Sequence, residues 1–369
     1  MTGLDLGQPV ADLAAALVDI PSVSGDEAPI ADAIAAALSD LPHLTVARDG
    51  DAIVARTTLG RYQRVIIAGH IDTVPLSARS RGGSVPSRVA DGQLIGRGSV
   101  DMKAGVAVAL SLAAQLTDPR YDLTWVFYDH EEVEATLNGL GRIARNHPEW
   151  LEGDFAILGE PTSGDIEGGC NGTLRAEVRV GGVAAHSARS WKGVNAIHGV
   201  GPLLATLAAY EAETITVDGL EYREGINAVG IRGGIAGNVV PDECVVTINY
   251  RFAPAWSVAE AQDRLKHVVA GAGLASWDLD FTDRAPGARP GLDDPLAAGF
   301  VRAVTAASGN QPRAKLGWTD VARFGELGIP AVNFGPGNPE LAHSDDEACP
   351  IDEIEACRAA LAAWLTQGD

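Results

Sequence analysis

Positive charge and sulfur are both scarce in this sequence. Of 369 residues, 28 are basic and 49 acidic, for a net charge of −21, and only Lys103, Lys192, Lys266 and Lys315 are lysines. So anionic a chain offers no basic face to a nucleic-acid backbone or an anionic membrane, which excludes both as expected partners. The remaining positive charge is arginine, suited to holding carboxylates through two parallel hydrogen bonds. The four cysteines, Cys170, Cys244, Cys349 and Cys357, form no CxxC pair and no regular framework. That excludes a disulfide scaffold and leads us to expect reduced thiols in a cytoplasmic protein. No apolar run is long enough to cross a bilayer. The N-terminal stretch has no basic segment ahead of an unbroken apolar one. Leu13, Leu17 and Ile20 instead recur at helical spacing around Asp12 and Asp19, the pattern of a surface helix, not of a secretory signal. Internal repeats and low-complexity tracts are lacking as well.

What is present is an ordinary globular composition, 46% hydrophobic and 21% charged, in a chain long enough for two domains. In the first part, apolar runs at 52–57, 64–72, 123–132 and 154–162 read as strands, and helical patterns alternate with them, one starting near Lys103. This alternation predicts an α/β fold, a mostly parallel sheet with helices on both faces. A long loop rich in Gly, Ser and Arg is expected over 76–92. Between 173 and 284 the order becomes β-α-β-β-α-β, the split-βαβ unit of a ferredoxin-like module. The α/β pattern resumes with a helix over 294–308 and the strand-like "GIPAVNFGPG". The expectation is a discontinuous main domain, 1–172 and 285–369, carrying an inserted α+β module at 173–284.

The polar residues that interrupt these runs gather at one kind of place. His70 and Asp72 end "RVIIAGHID", Asp101 follows "LIGRGSV", and Glu131 and Glu132 end "TWVFYDHEE". Glu160 follows "FAILG" and His343 follows "VNFGPGNPELA". The C-terminal ends of strands are where open α/β sheets bind ligands. Two histidines and several carboxylates there form a donor set of borderline-hard character, with zinc the expected metal. His70 and Asp72, two residues apart in an extended chain, project to the same side. Asp72 is thus placed to accept the ring N–H that His70 does not use for a metal. Neighbouring side chains of an extended segment diverge, so one of Glu131 and Glu132 is expected to bind metal while the other faces substrate as general base. Asp101 is a candidate to be shared by two metals about 3.5–4 Å apart.

Taken in order, "GHIDTVP", "GRGSVDMKAG", "DHEE", "GEPT", "AHSA" and "HSDDE" resemble the dinuclear zinc hydrolase family of aminoacylases, acetylornithine deacetylases and succinyl-diaminopimelate desuccinylases. The resemblance covers essentially the whole chain. "HSARSWKGVNAIH", "GNVVPDECVVTINYRF" and "LGWTDVARFGELGIPAVNFGPG" are most similar to the desuccinylases of lysine and diaminopimelate biosynthesis. The resemblance implies hydrolysis of N-succinyl-LL-2,6-diaminopimelate to succinate and LL-2,6-diaminopimelate with two Zn2+, Co2+ or Mn2+ being able to substitute. It implies that His70 and Glu160 bind one zinc, Glu132 and His343 the other, and that Asp101 bridges them. Glu131 is then the base and Asp72 the group that orients His70. It also implies a cis peptide at Asp101–Met102, and an inserted module that serves as lid and as the contact of a homodimer. From that module His186 would reach the partner's site to stabilise the oxyanion, and Asn238 would help close the same site. Arg251 and Thr319 match positions that hold substrate carboxylate. The alternative within the family is an acetylornithine-deacetylase-like or dipeptidase activity; outside it, a non-catalytic binding protein of the same fold.

Two departures from the family pattern stand out. His130 follows Asp129 where Asp usually precedes the acidic pair directly, so His130 imitates a ligand. "GGCNGTLR" lacks an arginine that some desuccinylases carry, which leaves Asn171 or a nearby arginine to substitute. Other features have plainer readings. "SDDE" after His343 reads as solvated loop charge. Without the family, His186 reads as a turn cap. His43, His147, His198 and His267 read as structural or exposed. Cys170 has no histidine at the spacing a nucleophile needs. The glycines of "GRGSVDMKAG" lack the GK[ST] ending of a phosphate loop and are expected to permit tight turns around Asp101.

Overall fold

The computed structural model describes residues 3–76 and 85–367. It divides into two compact units, one of Met1–Gly168, Gly291–Arg313 and Arg323–Asp369, the other of Gly169–Pro290 and Ala314–Ala322. The sequence division ran 173–284; the structural one is wider at both ends and takes in the return segment Ala314–Ala322, and with it Thr319.

The first unit is built on an eight-stranded sheet in the order Thr45–Asp49, Ala52–Arg56, Asp122–Tyr128, Arg64–His70, Phe155–Leu158, Ala331–Asn333, Glu167–Gly168 and Arg313–Ala314. Its centre is parallel: Arg64–His70 pairs in parallel with Asp122–Tyr128 and Phe155–Leu158, and Phe155–Leu158 with Ala331–Asn333. Antiparallel pairs flank that centre. All seven residues of Asp122–Tyr128 are buried, as in a strand covered on both faces. The chain leaves Asp122–Tyr128 and re-enters the sheet at Phe155–Leu158, on the far side of Arg64–His70. This reversal of direction marks where such sheets open a crevice beyond their strand ends.

The helix Lys103–Gln115 is buried from Lys103 to Ala113, because small residues let it lie against the sheet. A Cβ at Gly105 would come within 2.1 Å of the Gly159 carbonyl, so only glycine allows this helix to approach the strand end that carries Glu160. The core beyond it holds Phe155, Phe300, Phe334 and Trp364, with the Phe300 and Trp364 ring centres 5.0 Å apart. Burying each such ring stabilises the fold by about 1.5–3 kcal/mol. The expected loop over 76–92 lies partly outside the described residues; its end forms the short strand Arg88–Ala90, paired with Gln93–Ile95, which also pairs with Ala348–Pro350.

The second unit contains a four-stranded antiparallel sheet in the order Gly225–Gly233, Glu243–Phe252, Gly172–Gly181 and Trp277–Ala285. Numbered along the chain that order is 2-3-1-4, the split-βαβ arrangement. Gly172–Gly181 alternates buried and open residues, so one face is covered: Ala196–Gly199 supplies Ala196 to its core, Gly201–Ala208 supplies Leu203, and Val258–Gly271 supplies Leu265 and Val269. Val258–Gly271 begins at a reciprocal cap between Ser257 and Glu260. A hairpin, Thr214–Val217 with Leu220–Arg223, is an addition the sequence reading missed. Its turn is Asp218–Gly219, both at positive φ, the pair that a tight hairpin favours. Among the described residues no helix is long and apolar enough to cross a membrane.

Candidate metal centre

Three strand ends of the first unit deliver the donors. Arg64–His70 ends on His70, Asp122–Tyr128 stops three residues before Glu131, and Phe155–Leu158 stops two before Glu160. Asp101 comes from the turn ahead of Lys103–Gln115, where Gly98 adopts φ +81°. The peptide Asp101–Met102 is cis. His343, at φ +64°, follows the one-turn helix Pro339–Leu341.

These side chains converge. Asp101 points one carboxylate oxygen at each histidine: Oδ1 lies 3.0 Å from His70 Nε2 and Oδ2 lies 3.3 Å from His343 Nε2. His343 Nε2 is also 2.9 Å from Glu132 Oε1, and His70 Nε2 is 4.0 Å from Glu160 Oε1. Donor atoms of His70, Asp101 and Glu160 lie within 4.8 Å of one another, as do those of Asp101, Glu132 and His343, and those of His70, Glu131 and Glu132. Two overlapping groups thus share Asp101.

The electrostatics are those of a cation site. Burial alone would depress His70, but Asp101 and Asp72 hold its pKa well above the ordinary value. Asp101 and Glu132 push His343 up to about 10. Burial raises Asp101, yet contacts with His343 and His70 outweigh it and hold the carboxyl well below its usual range. The cluster demands positive charge at both rings, and a donor set of imidazole nitrogens and carboxylate oxygens without sulfur fits divalent cations such as zinc.

Asp72 organises this centre differently from the strand-based expectation. The strand closes at His70, and the ring Nδ1 is 3.0 Å from the Asp72 backbone carbonyl and 3.5 Å from its carboxylate. Donation from Nδ1 leaves Nε2 with a lone pair for a metal. The Asp72 carboxylate accepts the backbone N–H groups of Glu131 (3.0 Å) and Glu132 (3.1 Å) and the Ser24 hydroxyl (2.6 Å). Glu131 and Glu132 therefore do not lie on an extended strand. The chain turns at His130, φ +58°, and Asp72 catches the two amides that follow.

In the second unit, His186 and Asn238 come together: the His186 backbone is bridged to Val239, and Ser187 N–H donates to the Asn238 carbonyl at 2.9 Å. His186 is exposed and its Nδ1 accepts the Ala188 N–H at 3.1 Å. The turn cap is real, and it places the ring proton of the neutral imidazole on Nε2. Thr319 is buried and its carbonyl faces the Cys170 thiol, whose pKa burial pushes up to about 11. Cys170 is no nucleophile. Arg251 and Arg175 lie on adjacent strands, Arg251 opposite Thr173 and Arg175 opposite Asn249. The pKa of Arg251 is lowered by burial and by Arg175.

A family model described as peptidase family M20/M25/M40 matches residues 66–367. The chain belongs to this family. It is 52% identical over 364 residues to a putative succinyl-diaminopimelate desuccinylase of Mycobacterium tuberculosis, covering 98% of this chain and 99% of the relative. It is 47% identical to the succinyl-diaminopimelate desuccinylase of Corynebacterium glutamicum, covering 99% and 98%. Among solved structures, an M20 metallo-carboxypeptidase of Sulfolobus solfataricus superposes with a TM-score of 0.79 at 15% identity, over 97% of this chain and 98% of the other. A dinuclear metal-binding M20 peptidase of Bacillus subtilis gives 0.70 at 16% identity, over 97% and 96%.

One residue of this M20 centre overturns its sequence reading. Glu347, taken as part of a solvated "SDDE", is buried. Its carboxylate accepts Arg97 Nη1 at 2.7 Å and the backbone N–H groups of Val100 (2.9 Å) and Asp101 (3.1 Å). It fixes the main chain that presents Asp101. Asn171, one of the two candidates to stand in for the absent arginine, is buried, and its side-chain NH2 donates to the carbonyls of Arg223 and Leu316.

Proposed function

We propose that this chain hydrolyses N-succinyl-LL-2,6-diaminopimelate to succinate and LL-2,6-diaminopimelate at a pair of zinc ions. The observation that carries the chemistry is the placement of the two Asp101 oxygens, each beside a different histidine. Relatives bearing the desuccinylase name, matched along nearly their whole length, support the substrate. His70 and Glu160 would hold one ion, Glu132 and His343 the other, with Asp101 between them. When bound, such a pair polarises an amide carbonyl and lowers the pKa of water to about 7.

The chain's own residues do the rest. Glu131 takes a proton from the attacking water and returns it to the leaving amine nitrogen, which needs a carboxylate held within reach of both. Asp72 holds the Glu131 amide and so sets where that carboxylate stands. The partner subunit's His186 donates its Nε2–H to the tetrahedral oxyanion, with Asn238 closing the same site. Arg251 holds a substrate carboxylate with Thr319 nearby in the same unit. Arg175 is the nearby arginine that takes the place of the absent one, since neither it nor Arg251 has an ion-pair partner among the described residues. A homodimer through the second unit is supported by Gly225–Gly233, a sheet-edge strand on which Val229 and Ile231 are exposed, a surface suited to pairing with a second copy.

The deciding experiment assays succinyl-diaminopimelate, acetylornithine and simple dipeptides in parallel, with and without added zinc. Zinc-dependent release of succinate, with kcat/KM highest for the first, is expected. Preference for either of the others replaces the reading, and no turnover of any restores the non-catalytic alternative.

A further inference from the structure

Glu27 takes no part in the roles assigned above, yet its side chain is completely buried, a costly place for a carboxylate. Its oxygens face main chain and one imidazole. Oε1 accepts the His130 backbone N–H at 3.1 Å and lies 3.3 Å from His130 Nδ1, while Oε2 accepts the Gly25 N–H at 2.8 Å. The stretch that carries it is tied down at every second residue. Lys103 Nζ donates to the Ile20 carbonyl (2.7 Å) and the Ser22 hydroxyl to the Ile71 carbonyl (2.6 Å). Ser22 and Ser24 exchange backbone hydrogen bonds with Thr73, and the Ser24 hydroxyl reaches the Asp72 carboxylate. Residues 20–27 thus form a strap laid along 71–73 and ending at 130.

His130 explains what the strap holds. A residue with a side chain at φ +58° is in an uncommon backbone conformation that needs support. Its ring is held by Asp129 Oδ2 at 2.7 Å and its amide by Glu27. This turn aims the next two amides at Asp72. It also accounts for the departure noted in the sequence, because the His130 ring bonds to Asp129 and Glu27 and belongs to none of the clusters of metal-binding donors.

We infer that Glu27 is a positioning residue for the general base: by anchoring the His130 turn it sets the place of Glu131. The inference rests on Glu131 being the base. A displacement near 1 Å of a reacting group costs about 100-fold in rate, so the effect should fall on kcat. Glu27→Ala removes the anchor, Glu27→Asp is too short to keep it, and Glu27→Gln keeps one oxygen that can accept the His130 N–H while its NH2 gives up the Gly25 N–H contact. We expect kcat to fall roughly 10–100-fold in Ala and Asp, with KM within about threefold of wild type and a loss of zinc affinity, through Glu132, well short of the loss in rate. Gln, which keeps the His130 contact alone, should be clearly faster than Asp and Ala. Amide hydrogen exchange across 130–132 should quicken in Ala and Asp and not in Gln. Should Ala fail to fold, Asp and Gln carry the comparison. Kinetics use whichever substrate of the panel wild type cleaves best, so failure of the desuccinylase reading leaves this test intact, and exchange needs no substrate. A kcat within twofold of wild type in Asp, a Gln variant as slow as Asp, or equal losses in zinc affinity and rate would overturn the inference.

Discussion

Removing the Glu347 carboxylate should damage both the fold and the metal centre, although the residue touches no metal donor side chain. Arg97 and Glu347 are 5% and 3% exposed, so solvent screens little of their attraction. Glu347→Ala leaves a buried guanidinium uncompensated and two main-chain amides, those of Val100 and Asp101, without their acceptor. Breaking one side of a buried pair costs about 3–5 kcal/mol. At about 2–4 °C per kcal/mol for a domain of this size, the apparent Tm of the zinc-free protein should fall by roughly 6–20 °C. Because the Asp101 main chain loses its anchor, zinc affinity should drop about 10–100-fold. Calorimetry and competition with a chromogenic chelator measure the two effects. The double variant Arg97→Ala/Glu347→Ala should lose less than the sum of the single losses, since the second deletion removes the stranded charge. A Glu347→Ala protein with Tm within 2 °C of wild type and unchanged zinc affinity would refute the reasoning.

Further outcomes follow from the same geometry. Glu131→Gln should retain both zinc ions by elemental analysis while turnover falls about 10²–10⁴-fold; near-normal activity removes Glu131 as base. In the zinc-free protein Asp101 and Glu132 push His343 up to about 10, so this ring carries a proton at pH 7.5, and Asp101 and Asp72 favour the protonated form of His70 as well. Ligation requires neutral rings. Zinc binding should therefore release protons, seen by calorimetry in buffers of different ionisation enthalpy, and no release would contradict the protonation assigned to the pair. Asp122 accepts the Leu59 and Arg61 backbone N–H groups and the Thr57 hydroxyl; although burial raises its pKa, these bonds outweigh it and leave it below 3.8. Its contribution to stability is complete above 3.8 and disappears as pH falls through the depressed value. Asp122→Asn should be less stable at neutral pH and lose stability less steeply on acidification, measured as Tm against pH.

The legible part of this protein was local. His70, Glu160 and the Glu131–Glu132 pair follow apolar runs whose strand character the composition made plain, and the β-α-β-β-α-β order of the second unit could be read straight off its periodicities. The conformation at Glu131 and Glu132 could not, because it depends on His130 adopting a left-handed backbone and on amide contacts with a carboxylate about sixty residues earlier. Glu347 was misread for a similar reason. "SDDE" looks solvated until Ala348–Pro350 pairs with Gln93–Ile95 and draws Glu347 under the turn that presents Asp101. The Asp218–Gly219 hairpin is a different case: the Asp-Gly signal between alternating runs was present in the sequence and went unread.

Crystals grown with zinc and measured on both sides of its absorption edge test the central claim most directly. The account predicts two anomalous peaks of similar height about 3.5–4 Å apart, one beside each Asp101 oxygen, with His70 and Glu160 at the first and Glu132 and His343 at the second. A single peak, or a pair that leaves Asp101 bound to only one ion, would contradict it.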